Sequence, residues 1–217
     1  MILTTDRIRA LMHDPLVAPE ERLIITPILD WQRQAKRGQG AVDLRLGQRF
    51  SIPRRTKLAE LDHVDKNHEV NIERYKDVHH VLMGDFFVLH PRQFVLGETL
   101  EWVHLPNACA AYVIGRSSWG RDGLIIATAT GVHPAYSGVL TLEITNVGEI
   151  PIRLYPGLTI AQLFIHSVDG VPGTVPEPSS FAGSTSPESG NAAGDDSEVI
   201  RRLAKERGFD TRLGSAD

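Results

Sequence analysis

Short apolar runs with a period of two dominate the middle of the chain. Val42, Leu44 and Leu46 alternate with Asp43 and Arg45, the pattern of a half-buried strand whose side chains point in turn to two faces. Further runs of β type lie at 86–89, 93–96, 110–114, 124–128, 139–145, 150–154 and 159–165, punctuated by Gly84, Pro91, Gly97, Pro106, Gly115, Gly131, Gly138, Gly148, Pro156 and Gly157. Many short strands at this spacing predict an all-β sandwich or barrel, because helices need longer uninterrupted periodic stretches.

Helical signals stand at the two ends. Thr5-Asp6 before Ile8, Leu11 and Met12 predicts a short capped helix with Pro15 beyond it. Asp195 to Ser197 with Glu198 predicts a second helix running to Arg207, with Gly208 to end it and a small apolar face of Val199, Ile200 and Leu203. Between them, 24–29 is an apolar run interrupted by Pro27, 32–39 reads as a polar, basic loop, and 57–80 as a charged excursion with no period. From Asp169 the glycines and prolines lead into Ser/Gly/Ala/Asp-rich sequence, the composition of a linker. The expected organisation is a barrel domain at 1–168, a flexible linker or arm at 169–196, and a C-terminal helix and tail at 197–217.

Composition narrows the function classes. With 217 residues, 41% hydrophobic, the chain is long enough for a substantial core. Lys+Arg 23 against Asp+Glu 27 gives a net charge of -4, so no general attraction to nucleic acid or anionic membrane is expected. Any phosphate binding must be local. Cys109 is the single cysteine, which excludes an intramolecular disulfide and any metal site needing two thiolates. Neither an export signal nor an apolar membrane span is legible, so the expected location is the cytoplasm.

Three segments carry candidate chemistry. Gly115-Arg116-Ser117-Ser118-Trp119-Gly120-Arg121 packs two glycines, two hydroxyls and two arginines into seven residues after an apolar strand. Backbone N–H groups, hydroxyls and guanidinium forks suit an oligophosphate; the same composition also suits a solvated turn. Glu143 shares a strand face with Val139, Thr141 and Thr145, opposite Leu140, Leu142 and Ile144. It is either a solvent-facing charge or a partly buried carboxylate with a raised pKa, poised as a general base. The turn from Thr130 to Gly138 offers His133 and Tyr136, an imidazole and a phenol that could equally be structural. His79-His80 are adjacent in an extended segment and point to opposite faces, a poor start for a metal site.

In this order the segments resemble the dCTP deaminase and trimeric dUTPase superfamily. The resemblance extends to Gly40-Ala41-Val42-Asp43-Leu44-Arg45-Leu46-Gly47, to His90-Pro91 through Glu101, to Leu105-Pro106, to Gly123-Leu124, to Leu142-Glu143 with Asn146, and to Tyr155-Pro156-Gly157 with Ile160-Ala161-Gln162-Leu163. It implies a dUTPase-like distorted, jelly-roll-like barrel, assembled as a homotrimer with sites between subunits. It further implies deamination of dCTP to dUTP and ammonia, with Glu143 as general acid/base assisted by Ser117 and Arg121. Arg116, Ser117, Ser118, Trp119, Gly120, Arg121, His133, Tyr136, Thr141, Leu142 and Gln162 are implied nucleotide contacts, the main chain around Thr141 and Leu142 lying against the pyrimidine. Mg²⁺ is implied to accompany the triphosphate without a protein cage.

Zinc-dependent cytidine deaminases need a Cys-x-x-Cys pair, which a chain with one cysteine cannot supply. Where the family has Ile-Asp-Pro-Gly, this chain has Val132-His133-Pro134-Ala135, and residues 179–217 do not reproduce the family tail, with Phe181, Arg201, Arg202 and Lys205 as the candidates to replace it. Alternatives are a bifunctional deaminase-diphosphatase forming dUMP, a deaminase of another deoxycytidine nucleotide, or a non-catalytic nucleotide sensor.

Overall fold

A computed structural model describes residues 1–18, 21–53, 62–64, 75–127, 131–169, 183–187 and 196–207. The chain divides into two compact units. One comprises Met1–Ile52 and Val78–Glu188, the other Pro53–Asp77 and Ser189–Asp217. In the smaller unit, helix Asp196–Glu206 presents Val199, Ile200 and Leu203 to solvent, and the Arg201 guanidinium donates to the Val64 carbonyl at 2.7 Å.

The larger unit is built of strands, as the alternation predicts. The first helix, α1 (Thr5–His13), is capped by Thr4 rather than Thr5: the Thr4 hydroxyl accepts from the Arg7 N–H, while the Thr5 side chain is buried and donates to the Lys36 carbonyl at 2.8 Å. Strands follow as β1 (Ile24–Thr26), β2 (Val42–Arg45), β3 (Arg49–Pro53), β4 (Lys76–His80), β5 (Phe87–Leu89), β6 (Phe94–His104), β7 (Cys109–Gly115), β8 (Leu124–Ile126), β9 (Gly131–Val132), β10 (Ser137–Asn146), β11 (Ile152–Leu154) and β12 (Thr159–Ser167). Among the described residues, the single turns of helix α2 (Trp31–Gln34) and α3 (Ser117–Arg121) interrupt them. Neither is long enough to carry an apolar stripe, which is why no periodicity announces them.

One sheet runs β4-β3-β6-β10-β8 with β1 also on β6, a second runs β2-β12-β7-β9, and β5 pairs with β11. Their inner faces meet in a core that includes Val42, Leu44, Leu46, Phe50, Val95, Val103, Leu142, Ile144, Leu163 and Ile165. Strand β6 continues eight residues past the apolar run at 93–96, to His104, because β10 pairs with it on both sides of an irregularity, with Val139 opposite Trp102 and Thr141 opposite Glu98. There the Thr99 hydroxyl replaces a ladder bond, accepting from the Leu140 N–H at 2.9 Å and donating to the Glu101 carbonyl at 2.7 Å.

Part of the expected linker is fastened to the barrel. Ser184 bridges Gly138 in parallel, the Gly183 N–H donates to the Ser137 carbonyl at 2.6 Å, and the Val139 N–H donates to the Ser184 carbonyl at 2.9 Å. The Arg49 guanidinium adds a bond to the Thr185 carbonyl. A short polar segment without alternation gives no strand signal; it docks by backbone pairing together with burial of Ser184 and Pro187. No described helix is long and apolar enough to cross a membrane.

Candidate active site

Strand β10 keeps the predicted alternation along its whole length. Leu140, Leu142 and Ile144 are buried; Val139, Thr141, Glu143 and Thr145 are half-buried on the other face. Glu143 therefore stands neither in the core nor in open solvent. Because the Leu142 side chain is fully buried, only its main chain can meet a ligand.

The Arg116 to Arg121 segment begins where β7 ends. The Arg116 N–H donates to the Ile160 carbonyl at 3.1 Å, and the Trp119 indole N–H donates to the Thr159 carbonyl at 2.9 Å. With its ring packed on the core edge, Trp119 pins the turn rather than offering a free face. Ser117, Ser118, Gly120 and Arg121 are exposed. The turn's far end is tied to the Glu143 strand: the Val147 N–H donates to the Gly123 carbonyl at 2.9 Å, and Gly123, at φ +87, lies so close to Gly148 that a Cβ would meet its Cα at 2.9 Å. Asn146, wholly buried, fixes this corner by donating to the Leu89 and Ile150 carbonyls and accepting from the Gly148 N–H.

Asp43 was not among the residues the sequence singled out. Its Oδ2 lies 3.3 Å from Arg116 Nη1 and its Oδ1 accepts from Gln162 Nε2 at 2.9 Å. Asp43 and Gln162 are cross-strand partners, and Gln162 is also opposite Ile114, two residues before Arg116. Three predicted or unpredicted polar groups thus converge across β2, β12 and the end of β7. The legible signal was an acid at an outward position of β2 within the Ala41 to Gly47 segment, and nothing local distinguished it from a solvated strand charge.

The turn residues separate in role. Tyr136 is buried and its hydroxyl donates to the Val139 carbonyl at 2.6 Å, so of the two readings left open for it, packing is what its placement provides. His133 is exposed. Ala135 takes φ 62, the left-handed conformation that glycine tolerates best.

Two buried acids lie behind these residues. Glu101 accepts from the Arg45 N–H at 2.7 Å, from Arg45 Nε at 2.6 Å and from Gln34 Nε2 at 3.0 Å, which locks β2 to β6 and sets the height of Asp43. Glu98 is also buried; its Oε2 has no hydrogen-bond partner among the described residues, and desolvation pushes its carboxyl up against the opposing pull of Arg49 and His80.

The larger unit is thus a β domain that presents a cationic, hydroxyl-rich turn tied to a strand with a half-buried carboxylate. Residues 2–168 match the model of the dCTP deaminase-like family, and the chain belongs to that family. It is 35% identical over 150 residues to a protein of Methanobrevibacter smithii named dCTP deaminase, dUMP-forming, covering 69% of this chain and 74% of that one. It is 37% identical over 180 residues to a dCTP deaminase of Natronomonas pharaonis, covering 81% and 90%. Among solved structures, 2'-deoxycytidine 5'-triphosphate deaminase from Agrobacterium tumefaciens superposes with a TM-score of 0.56 at 22% identity, over 77% of this chain and 48% of that one. That likeness supports the expected mostly β fold, and the expected short N-terminal and C-terminal helices are both present.

Proposed function

We propose that the protein is a metal-free hydrolytic deaminase of dCTP. Water adds at C4 of the cytosine, the exocyclic amine leaves as ammonia, and dUTP remains. The observation that carries this reading is Glu143, a half-buried carboxylate on the strand tied through Gly123 and Val147 to the Arg116 to Arg121 turn, in a chain of this family.

Glu143 takes a proton from the attacking water and returns it to the departing amine, a contribution on the order of 10² to 10⁴-fold. Arg116, Ser118, Gly120 and Arg121 hold the triphosphate, which brings Mg²⁺ with it as part of the substrate. Ser117 and Arg121 also steady the base and the water, and the Thr141 and Leu142 main chain lies against the pyrimidine. Gln162 contacts the nucleotide. His133 stands where the family aspartate meets the 3′-hydroxyl, and its imidazole bonds that hydroxyl without the aspartate's negative charge. The active protein is a cytoplasmic homotrimer in this reading, with sites completed between subunits.

A second reading is favoured by the relatives named dUMP-forming: the same site also releases pyrophosphate. One assay separates the cases. Purified protein is given dCTP and Mg²⁺, and ammonia and pyrophosphate are followed together. Ammonia with dUTP supports the first reading, and ammonia with pyrophosphate the second. Saturable binding without product identifies a sensor. Absence of ammonia from the wild type, or undiminished turnover in Glu143→Gln, refutes the deaminase.

A further inference from the structure

We propose that Asp43 is a positioning residue of the nucleotide site: it tethers Arg116 and turns Gln162 so that the amide carbonyl is the end left for a ligand. This rests on the reading of the site given above, but it concerns a residue that neither the composition of the turn nor its motif includes.

The argument is one of donors and acceptors. An ionised carboxylate accepts and cannot donate, so whatever amide end faces Asp43 must be the NH₂. Gln162 Nε2 is the atom found there, 2.9 Å from Asp43 Oδ1. The second carboxylate oxygen is engaged by Arg116 Nη1 at 3.3 Å. Asp43 is thereby shared by two groups that both donate, and its side chain is only 14% exposed against 36% for Arg116. Its place is fixed from behind, because Arg45 two residues later is clamped by Glu101 and the Asp43 carbonyl itself accepts from Gln34 Nε2 at 3.3 Å.

Two consequences follow for recognition. Arg116 keeps its remaining N–H groups for phosphate while one edge of its fork is held, which lowers the entropy lost on binding. Gln162, with its NH₂ committed, meets a ligand as an acceptor. It does not suit a phosphate oxygen, which is also an acceptor, and it suits an O–H donor: the sugar hydroxyl, or a water carried in the shell of the substrate's divalent cation.

Asparagine at position 43 cannot replace this arrangement. It has one acceptor and one donor end, so satisfying Gln162 Nε2 turns an NH₂ toward Arg116, and satisfying Arg116 flips Gln162. Binding of dCTP and of its 2′,3′-dideoxy analogue is measured by calorimetry, with and without Mg²⁺, on wild type, Asp43→Asn and Gln162→Met. Asp43→Asn is expected to weaken dCTP about tenfold or more, and Gln162→Met to erase a selective preference that wild type shows. Loss of the preference for dCTP over the dideoxy analogue assigns the sugar hydroxyl, and a loss seen only with Mg²⁺ assigns the cation's water. If either variant binds both nucleotides as wild type does, or Gln162→Met weakens all conditions equally, the proposal is overturned. Because no turnover is needed, failure of deamination leaves this test intact; wild type that binds no nucleotide overturns the functional reading and the role of Asp43 together.

Discussion

Gly138 and Ser184 meet backbone to backbone with no space for a side chain between them: a Cβ at 138 would stand 2.9 Å from the Ser184 carbonyl oxygen and 3.1 Å from its nitrogen. Gly138 also takes φ +152, a conformation that strains any other residue. The contact is what lets residues 183–187 lie beside β10, the strand that carries Glu143. Gly138→Ala is therefore expected to cost about 1–3 kcal/mol and to release the segment. Hydrogen exchange reads this directly at the Val139 amide, which donates to Ser184. Unchanged protection of that amide would show that the segment does not depend on the glycine.

Much of the barrel was legible because period-two alternation is a direct image of strand geometry. Leu140, Leu142 and Ile144 point inward and Glu143 outward, as the alternation requires. What escaped was set by partners distant in sequence. Glu98 and Glu101 broke the apolar run of β6, yet Glu101 is buried on Arg45, 56 residues away. Lys76 to His80 read as part of an excursion and is a strand that β3 recruits. In the site, the turn from Arg116 to Arg121 announced itself by density of donors. Asp43 did not, since its meaning arises only when β12 brings Gln162 alongside. Phe181 lies outside the described residues, as does most of 57–80.

The Arg45 and Glu101 pair should behave as buried ions do. Glu101 is fully buried, with Arg45 nearly so, so removing one charge strands the other. Glu101→Gln is expected to lose about 3–5 kcal/mol in denaturant unfolding. A double change, Arg45→Met with Glu101→Gln, is expected to recover part of that loss, because no charge is then left buried and the amide oxygen at position 101 still accepts from the backbone N–H of position 45. A double variant no more stable than the single one would show that the pair contributes net stability of its own.

Glu98 gives the stability a pH dependence with a definite sign. Burial raises its folded value above the ordinary glutamate value of 4.5, so the folded state holds the proton more tightly than the unfolded chain. The stability from the neutral carboxyl is complete below pH 4.5 and is lost as pH rises through the raised value. Glu98→Gln is expected to flatten this fall, matching wild type at pH 4 and equalling or exceeding it at pH 8. Thermal unfolding across that range checks it, and parallel curves for the two proteins would contradict it.

Trp119 is the remaining test of how the turn is held. Phenylalanine keeps most of the ring's contact with the core edge and removes the N–H that reaches the Thr159 carbonyl at 2.9 Å. A half-buried hydrogen bond of this kind contributes about 0.5–1.5 kcal/mol, and Thr159 can recover part of it from water, so global stability should fall little. The turn itself should loosen. Its loss would be felt where phosphate is held, so Trp119→Phe is expected to weaken dCTP several-fold and to change dCMP binding much less. Comparing the two affinities by calorimetry separates this from a general weakening. An equal loss for both nucleotides would place the role of Trp119 in packing alone, with the turn held by Arg116 and Gly123 through their backbone bonds to Ile160 and Val147.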